Sequence, residues 1–367
     1  MLEEELLYIL ALQRVKGIGD INAKKLISHC GSAKNVLNEK KSKISKINGI
    51  GENTLQFLSD KNNLKAAEKE LNYIKNNNIE TLYFLNDNYP KKLKHCIDAP
   101  ILLFKDGTFN LENRPIISVV GTRKITSYGR DFCERFIAEL ALYNPIIVSG
   151  FAYGVDICAH KAALKNELTT IGVLAHGFEE IYPKSHKKYV SEMHKNGGFL
   201  TDFWHNDVLL RENFLKRNRI VAGISEATII IESANKGGSL VTADIANSYS
   251  RDVFAVPGRT TDSFSKGCND LIKRNKAAIL TSAKDLVEML NWDLESKTPV
   301  PIQKQLFVEL DEKEQQIYDF LLKDGKQLLD AISLNCNLPI YQTTTILFNL
   351  EMKGVVKPLP GKLFEAI

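Results

Sequence analysis

The chain reads as an α/β protein, a mostly parallel sheet covered by helices with a smaller helical domain on either side. Three observations predict this. Between Pro115 and Leu280, apolar runs rich in β-branched residues alternate with helical intervals. Glycine-rich loops follow several of those runs, and the pattern Gly-Ile-Gly occurs twice before residue 52. Continuous apolar strands separated by helices are buried on both faces, as a parallel sheet requires.

The first element is the doubled turn. Val15-Lys16-Gly17-Ile18-Gly19 and Ile47-Asn48-Gly49-Ile50-Gly51 each stand between helical patterns, the first between Leu6-Leu7-Leu10-Ala11 and Ala23-Leu26-Ile27. Glycine permits a tight turn that points backbone N–H groups at a phosphate. The repeat predicts a tandem helix-hairpin-helix domain over 1–65, with Gly17, Gly19, Gly49 and Gly51 as an auxiliary grip on DNA. A small helical docking module is the alternative.

Next, 61–79 reads as a polar helix leading to a strand at 81–85. The sheet follows over 66–290, with strands expected at 116–120, 146–149, 170–174, 199–201, 227–231, 253–256 and 278–280. A polar, proline-bearing linker is expected at 291–305. Three helices (311–322, 327–334 and 339–352) and a terminal hairpin then predict a winged-helix-like domain over 306–367.

Composition bounds the function. The 367 residues suit two or three domains, and the net charge of +4 is mild, so a nucleic-acid footprint must come from local clustering. Residues 1–65 hold 11 Lys/Arg against 7 Asp/Glu. Six cysteines without a C-x-x-C pair predict a reduced cytoplasmic protein, with neither metal nor cofactor. Glu3, Glu4 and Glu5 stand where a signal peptide would be basic, and no apolar run reaches the length of a membrane span.

In an open parallel sheet the ligand sits where loops leave the carboxyl ends of the strands. Three such loops are glycine-rich: one with Gly121, Thr122 and Arg123, a second with Ser149, Gly150, Phe151 and Gly154, and a third with Gly237, Gly238 and Ser239. Each precedes a helix, so backbone N–H groups and the helix dipole favour a phosphate there. The dinucleotide and Walker fingerprints are both missing, which argues against a nicotinamide enzyme and a P-loop ATPase. Lys184 and the run Arg217-Asn218-Arg219 add phosphate-binding groups. Phe151, Tyr153, Phe178, Tyr182 and Trp204 are candidate platforms for unpaired bases.

Those motifs resemble, in order over about 180 residues, the DNA-processing protein A (DprA/Smf) family. They are V-G-T-R, S-G-x-A-x-G-V-D, H-G-F-x-x-I-Y-P, F-x-x-R-N-R-I-V-A-G, G-G-S-L-V-T-A and V-F-A-V-P-G. The resemblance implies a single-stranded DNA-binding homodimer with a Rossmann-like sheet, which loads the RecA recombinase in natural transformation. It places the family's DNA-contacting arginine on Arg123 and its lysine on Lys184. The rival class is a nucleotide-hydrolysing enzyme, for which Asp156, His160 and Glu232 would form an acid–base set. The plainer expectation is that these three brace loops.

Overall fold

The computed structural model describes residues 2–292, 310–359 and 363–366. The chain divides into two compact units, Met1–Lys297 and Thr298–Ile367. Most of the linker expected at 291–305 lies outside the described residues.

The central strands are β1 (Glu80–Tyr83), β2 (Leu102–Gly107), β3 (Ile116–Val120), β4 (Ile146–Ser149), β5 (Thr170–Val173), β6 (Gly197–Thr201), β7 (Ala227–Ile230), β8 (Asp252–Ala255) and β9 (Ala278–Ile279). They form one nine-stranded sheet in the order β1-β2-β6-β5-β4-β3-β7-β8-β9. From β6 to β9 every pairing is parallel. The hairpin β1-β2 is added antiparallel at the β6 edge. β2 is a strand that sequence periodicity leaves unassigned, because it is not followed by a crossover helix.

Alternation along β3 sorts its side chains between two cores. Ile117 and Val119 pack with the helices Ser127–Leu140 and Val155–Lys165, whereas Ile116 and Val120 join the core beneath Arg211–Ile224 and Gly238–Ser248. Strands β4 to β6 lie on one side of β3, and β7 to β9 on the other. The loops after β3 and β7 therefore leave toward opposite faces and open a crevice at the topological switch point.

The hairpins precede the sheet. Gly17 and Gly49 have φ of +86° and +96°, which only glycine adopts without strain. The two turns lie against each other in matching fashion. A Cβ on Gly17 would come within 3.0 Å of Thr54, three residues past Gly51, and one on Gly49 within 3.4 Å of Asn22, three past Gly19. This module shares a core with Tyr83, Leu102, Phe104 and Trp204, and the expected boundary at residue 65 falls inside the helix Lys61–Asn76.

In the second unit, helices Glu312–Asp324, Leu329–Asn335 and Ile340–Met352 pack on a small sheet of β10 (Gln327–Leu328), β11 (Val356–Leu359) and β12 (Leu363–Ala366). Its first helix starts with a capping box from Asp311 and Glu314. Lys353, the sole cation in 339–353, pairs with Glu314 at 2.5 Å.

Candidate nucleic-acid interface

A cleft of about 820 Å³ opens at the switch point. The three glycine-rich loops converge on it: Gly121, Thr122, Arg123, Gly150, Gly237, Gly238 and Ser239 all line it, with Arg217 and Asn218 from the facing helix.

The first two loops are locked together by close packing. The Thr122 N–H donates to the Glu232 carbonyl (2.8 Å), and the Val155 N–H donates to the Thr122 carbonyl (3.1 Å). A side chain at Gly154, whose φ is +78°, would collide with that carbonyl at 2.1 Å, and one at Gly121 with Val155 at 2.5 Å. These glycines are needed by the fold itself. The third loop differs. Nothing lies within 3.5 Å of a Cβ built on Gly237 or Gly238, and neither has a left-handed φ. The helix Gly238–Ser248 starts there with no side-chain cap, so its first N–H groups face the cleft beside exposed Lys236.

Two kinds of cation surround this site. Arg123 is exposed on the rim, its guanidinium 5.1 Å from the Phe214 ring centroid, and Tyr182 meets Phe214 edge-on at 5.8 Å. Arg211 and Lys236 are also exposed at the cleft, and the sequence reading missed both. Arg211 opens a helix and Lys236 precedes Gly237-Gly238 at another helix start, so a cation at a helix start was the available signal.

Arg217, by contrast, is buried under the second loop. Its Nη1 donates to the Gly150 carbonyl at 2.6 Å and to that of Val173. Burial pulls its pKa down to about 10, against the opposing pull of the Asp156 carboxylate. Asn218 reaches the Gly238 carbonyl at 3.4 Å and braces the third loop.

Several expectations are corrected by placement. Arg217-Asn218-Arg219 does not act as one phosphate-binding run, because it lies within the helix that starts at Arg211 and residues two apart on a helix point to different sides. Arg219 turns away from the cleft, pairing with Asp202 (2.6 Å) and Asp20 (2.9 Å). Phe151 is fully buried against Phe199, and Trp204 is buried against the N-terminal helices, so neither is a base platform. Phe178 is partly buried between two cores. Ser149 is buried, donating to the Val119 carbonyl at 2.6 Å. Lys184 is exposed but is not among the lining residues. Its segment is tied to the second loop through Tyr153–Ser185 (3.0 Å) and His186 Nδ1 to the Phe151 carbonyl (3.0 Å).

Asp156, His160 and Glu232 each engage a different partner. Asp156 accepts the Ala152 N–H (3.3 Å), and burial raises its pKa. His160 Nδ1 bonds Thr170 Oγ1 at 2.7 Å, and burial drives its pKa down to about 3. Glu232 accepts from the Thr126 hydroxyl (2.5 Å) and N–H (2.9 Å) at the start of the helix Ser127–Leu140. Among the described residues no cluster of His, Cys, Asp or Glu fits a metal ion, and no helix is long and apolar enough to cross a membrane.

Sheet order and cleft together define a Rossmann-like α/β protein with a switch-point crevice rimmed by arginine and aromatic rings. The chain belongs to the DNA recombination-mediator protein A family, whose model matches residues 80–291, and a DprA winged helix domain matches 304–362. Protein Smf of Escherichia coli is 31% identical over 302 residues, covering 81% of this chain and 80% of that protein. A putative DNA processing protein DprA of Mycobacterium tuberculosis is 33% identical over 273 residues, 74% of this chain and 70% of the relative. The X-ray structure of DNA processing protein A from Streptococcus pneumoniae superposes with a TM-score of 0.66 at 30% identity, covering 77% of this chain and 97% of the other. The Helicobacter pylori protein, whose structure concerns a single-stranded DNA binding mode, superposes at 0.52 with 30% identity, covering 58% and 95%.

Proposed function

We propose that the protein binds single-stranded DNA in the switch-point cleft and does no chemistry on it. One observation carries the reading: exposed Arg123 lies over Phe214 beside Tyr182, across a cleft floored by the uncapped helix start at Gly238. Phosphates would meet Arg123, Arg211, Lys236 and the helix N–H groups, while unpaired bases stack on the aromatic rim. The Helicobacter pylori relative supports this choice of ligand. Lys184 would extend the track of positive charge, and Gly17, Gly19, Gly49 and Gly51 are exposed at the hairpin turns.

Family membership supports a wider role, in which a cytoplasmic homodimer hands the strand to the RecA recombinase during transformation and recombination. The winged-helix unit, with Lys353 engaged by Glu314, suits an adaptor role better than base reading. The deciding experiment is a titration with oligothymidine and with duplex at two salt concentrations. Tighter binding to oligothymidine, a steep fall with salt, and loss in Arg123→Ala/Lys184→Ala are expected. Equal affinity for duplex, or an unaffected double variant, would overturn the reading.

A further inference from the structure

The segment 202–210 joins β6 to the cleft helix, and its first half is held in large part by the N-terminal helices, with the Glu179 N–H also donating to the His205 carbonyl at 3.4 Å. Asp202 meets Arg219, which also holds Asp20 of the first hairpin. The Trp204 indole N–H donates to Gln13 Oε1 at 3.1 Å, and the Arg14 guanidinium lies 3.9 Å from its ring centroid. His205 is paired with buried Glu70 and stacked on Tyr73 at 4.2 Å. Asp207 accepts from Arg14 at 2.7 Å. The second half of the segment is cleft wall, for Leu209, Leu210 and Arg211 line the crevice.

The hairpin turns themselves are poorly arranged for phosphate. Each helix that follows a Gly-Ile-Gly opens with a carboxylate, Asp20 in one and Glu52 in the other. Like charge there repels an anion that the helix dipole would otherwise attract. Asp20 is moreover committed to the Ile101 N–H (2.9 Å) and to Arg219.

We propose that the hairpin module acts on strand binding through the 202–210 strap, with Arg14, Gln13 and Glu70 as positioning residues for the cleft wall, rather than through DNA contacts of its own. The proposal rests on the cleft being the strand site. Coupling of this kind passes through packed side chains and a rigid segment, and variants along it shift affinity without touching ligand.

Trp204 supplies the readout, because Trp292→Phe leaves it the only tryptophan. In that background, saturating oligothymidine should change Trp204 emission, and Arg123→Ala should abolish the change. Arg14→Ala should weaken oligothymidine binding by about 3- to 30-fold with the salt dependence unaltered. Arg14→Lys, which keeps the charge facing Asp207, should recover part of the loss, and Gln13→Ala provides a milder variant should Arg14→Ala fail to fold. Intact binding with a silent Trp204 and unaffected Arg14 and Gln13 variants would refute the strap alone. A shallower salt dependence in Arg14→Ala would mean direct phosphate contact and overturn it as well. An unmodified protein that does not bind oligothymidine would instead bring down the cleft reading, and the strap with it.

Discussion

The Arg217 guanidinium lies directly beneath Gly150, donating to its carbonyl at 2.6 Å, in space that a side chain at 150 would fill to within 2.4 Å of both terminal nitrogens. A buried cation thus shapes the second glycine-rich loop from below, while the exposed Arg123 faces solvent above.

Arg217 and Arg123 should therefore fail in different ways. Arg217→Ala leaves the Gly150 and Val173 carbonyls without their charged donor and should cost about 1–3 kcal/mol of stability, the usual penalty for unsatisfied buried acceptors. Arg123→Ala should leave the denaturant midpoint unchanged and remove most strand binding, the residual affinity showing a shallower salt dependence. Chemical denaturation and oligothymidine titration of both variants separate brace from ligand.

The glycines divide in the same manner. Gly150→Ala drives a methyl group into Arg217 and should destabilise the fold by about 1–3 kcal/mol. Gly237→Ala meets no protein atom within 3.5 Å and should fold normally, yet cover the helix N–H groups and weaken strand binding. A Gly237→Ala protein with full affinity would show that those groups do not meet phosphate.

Phe214 carries both Arg123 and Tyr182 on its ring. Phe214→Ala should weaken oligothymidine binding by about 1–3 kcal/mol, the usual worth of one base–aromatic stack, while the salt dependence stays constant. A change in salt dependence alone would assign the ring to holding Arg123 rather than to stacking.

Acidification should destabilise the protein through His160. Its pKa falls from 6.5 in the unfolded chain to about 3 in the native state, burial being the main cause. Between those values the unfolded state binds more protons, so stability is lost as pH drops below 6.5, by about 2 kcal/mol at pH 5. His176 and His186 are shifted down by burial too and add to the trend. His160→Asn should shrink the loss between pH 7 and pH 5 by about that amount in urea melts; an equal loss would exclude His160 as its source.

The sequence by itself determined the strands from β3 to β9, because all but the edge strand β9 are largely buried on both faces and therefore mostly apolar, and that signature survives without any tertiary information. It also located the three glycine-rich loops that converge on the cleft, since glycine between a strand and a helix is a local requirement of close approach. It could not assign β2, whose place depends on pairing with β6 far along the chain. Nor could it tell Arg217 from Arg219, as the direction of a helical side chain depends on where the helix starts and what it packs against. Tertiary structure decided that Arg219 holds the hairpin module, that Phe151 fills a core, and that Arg211 and Lys236 join Arg123 around one cleft. Those outcomes follow from contacts between residues distant in the chain, which no local pattern encodes.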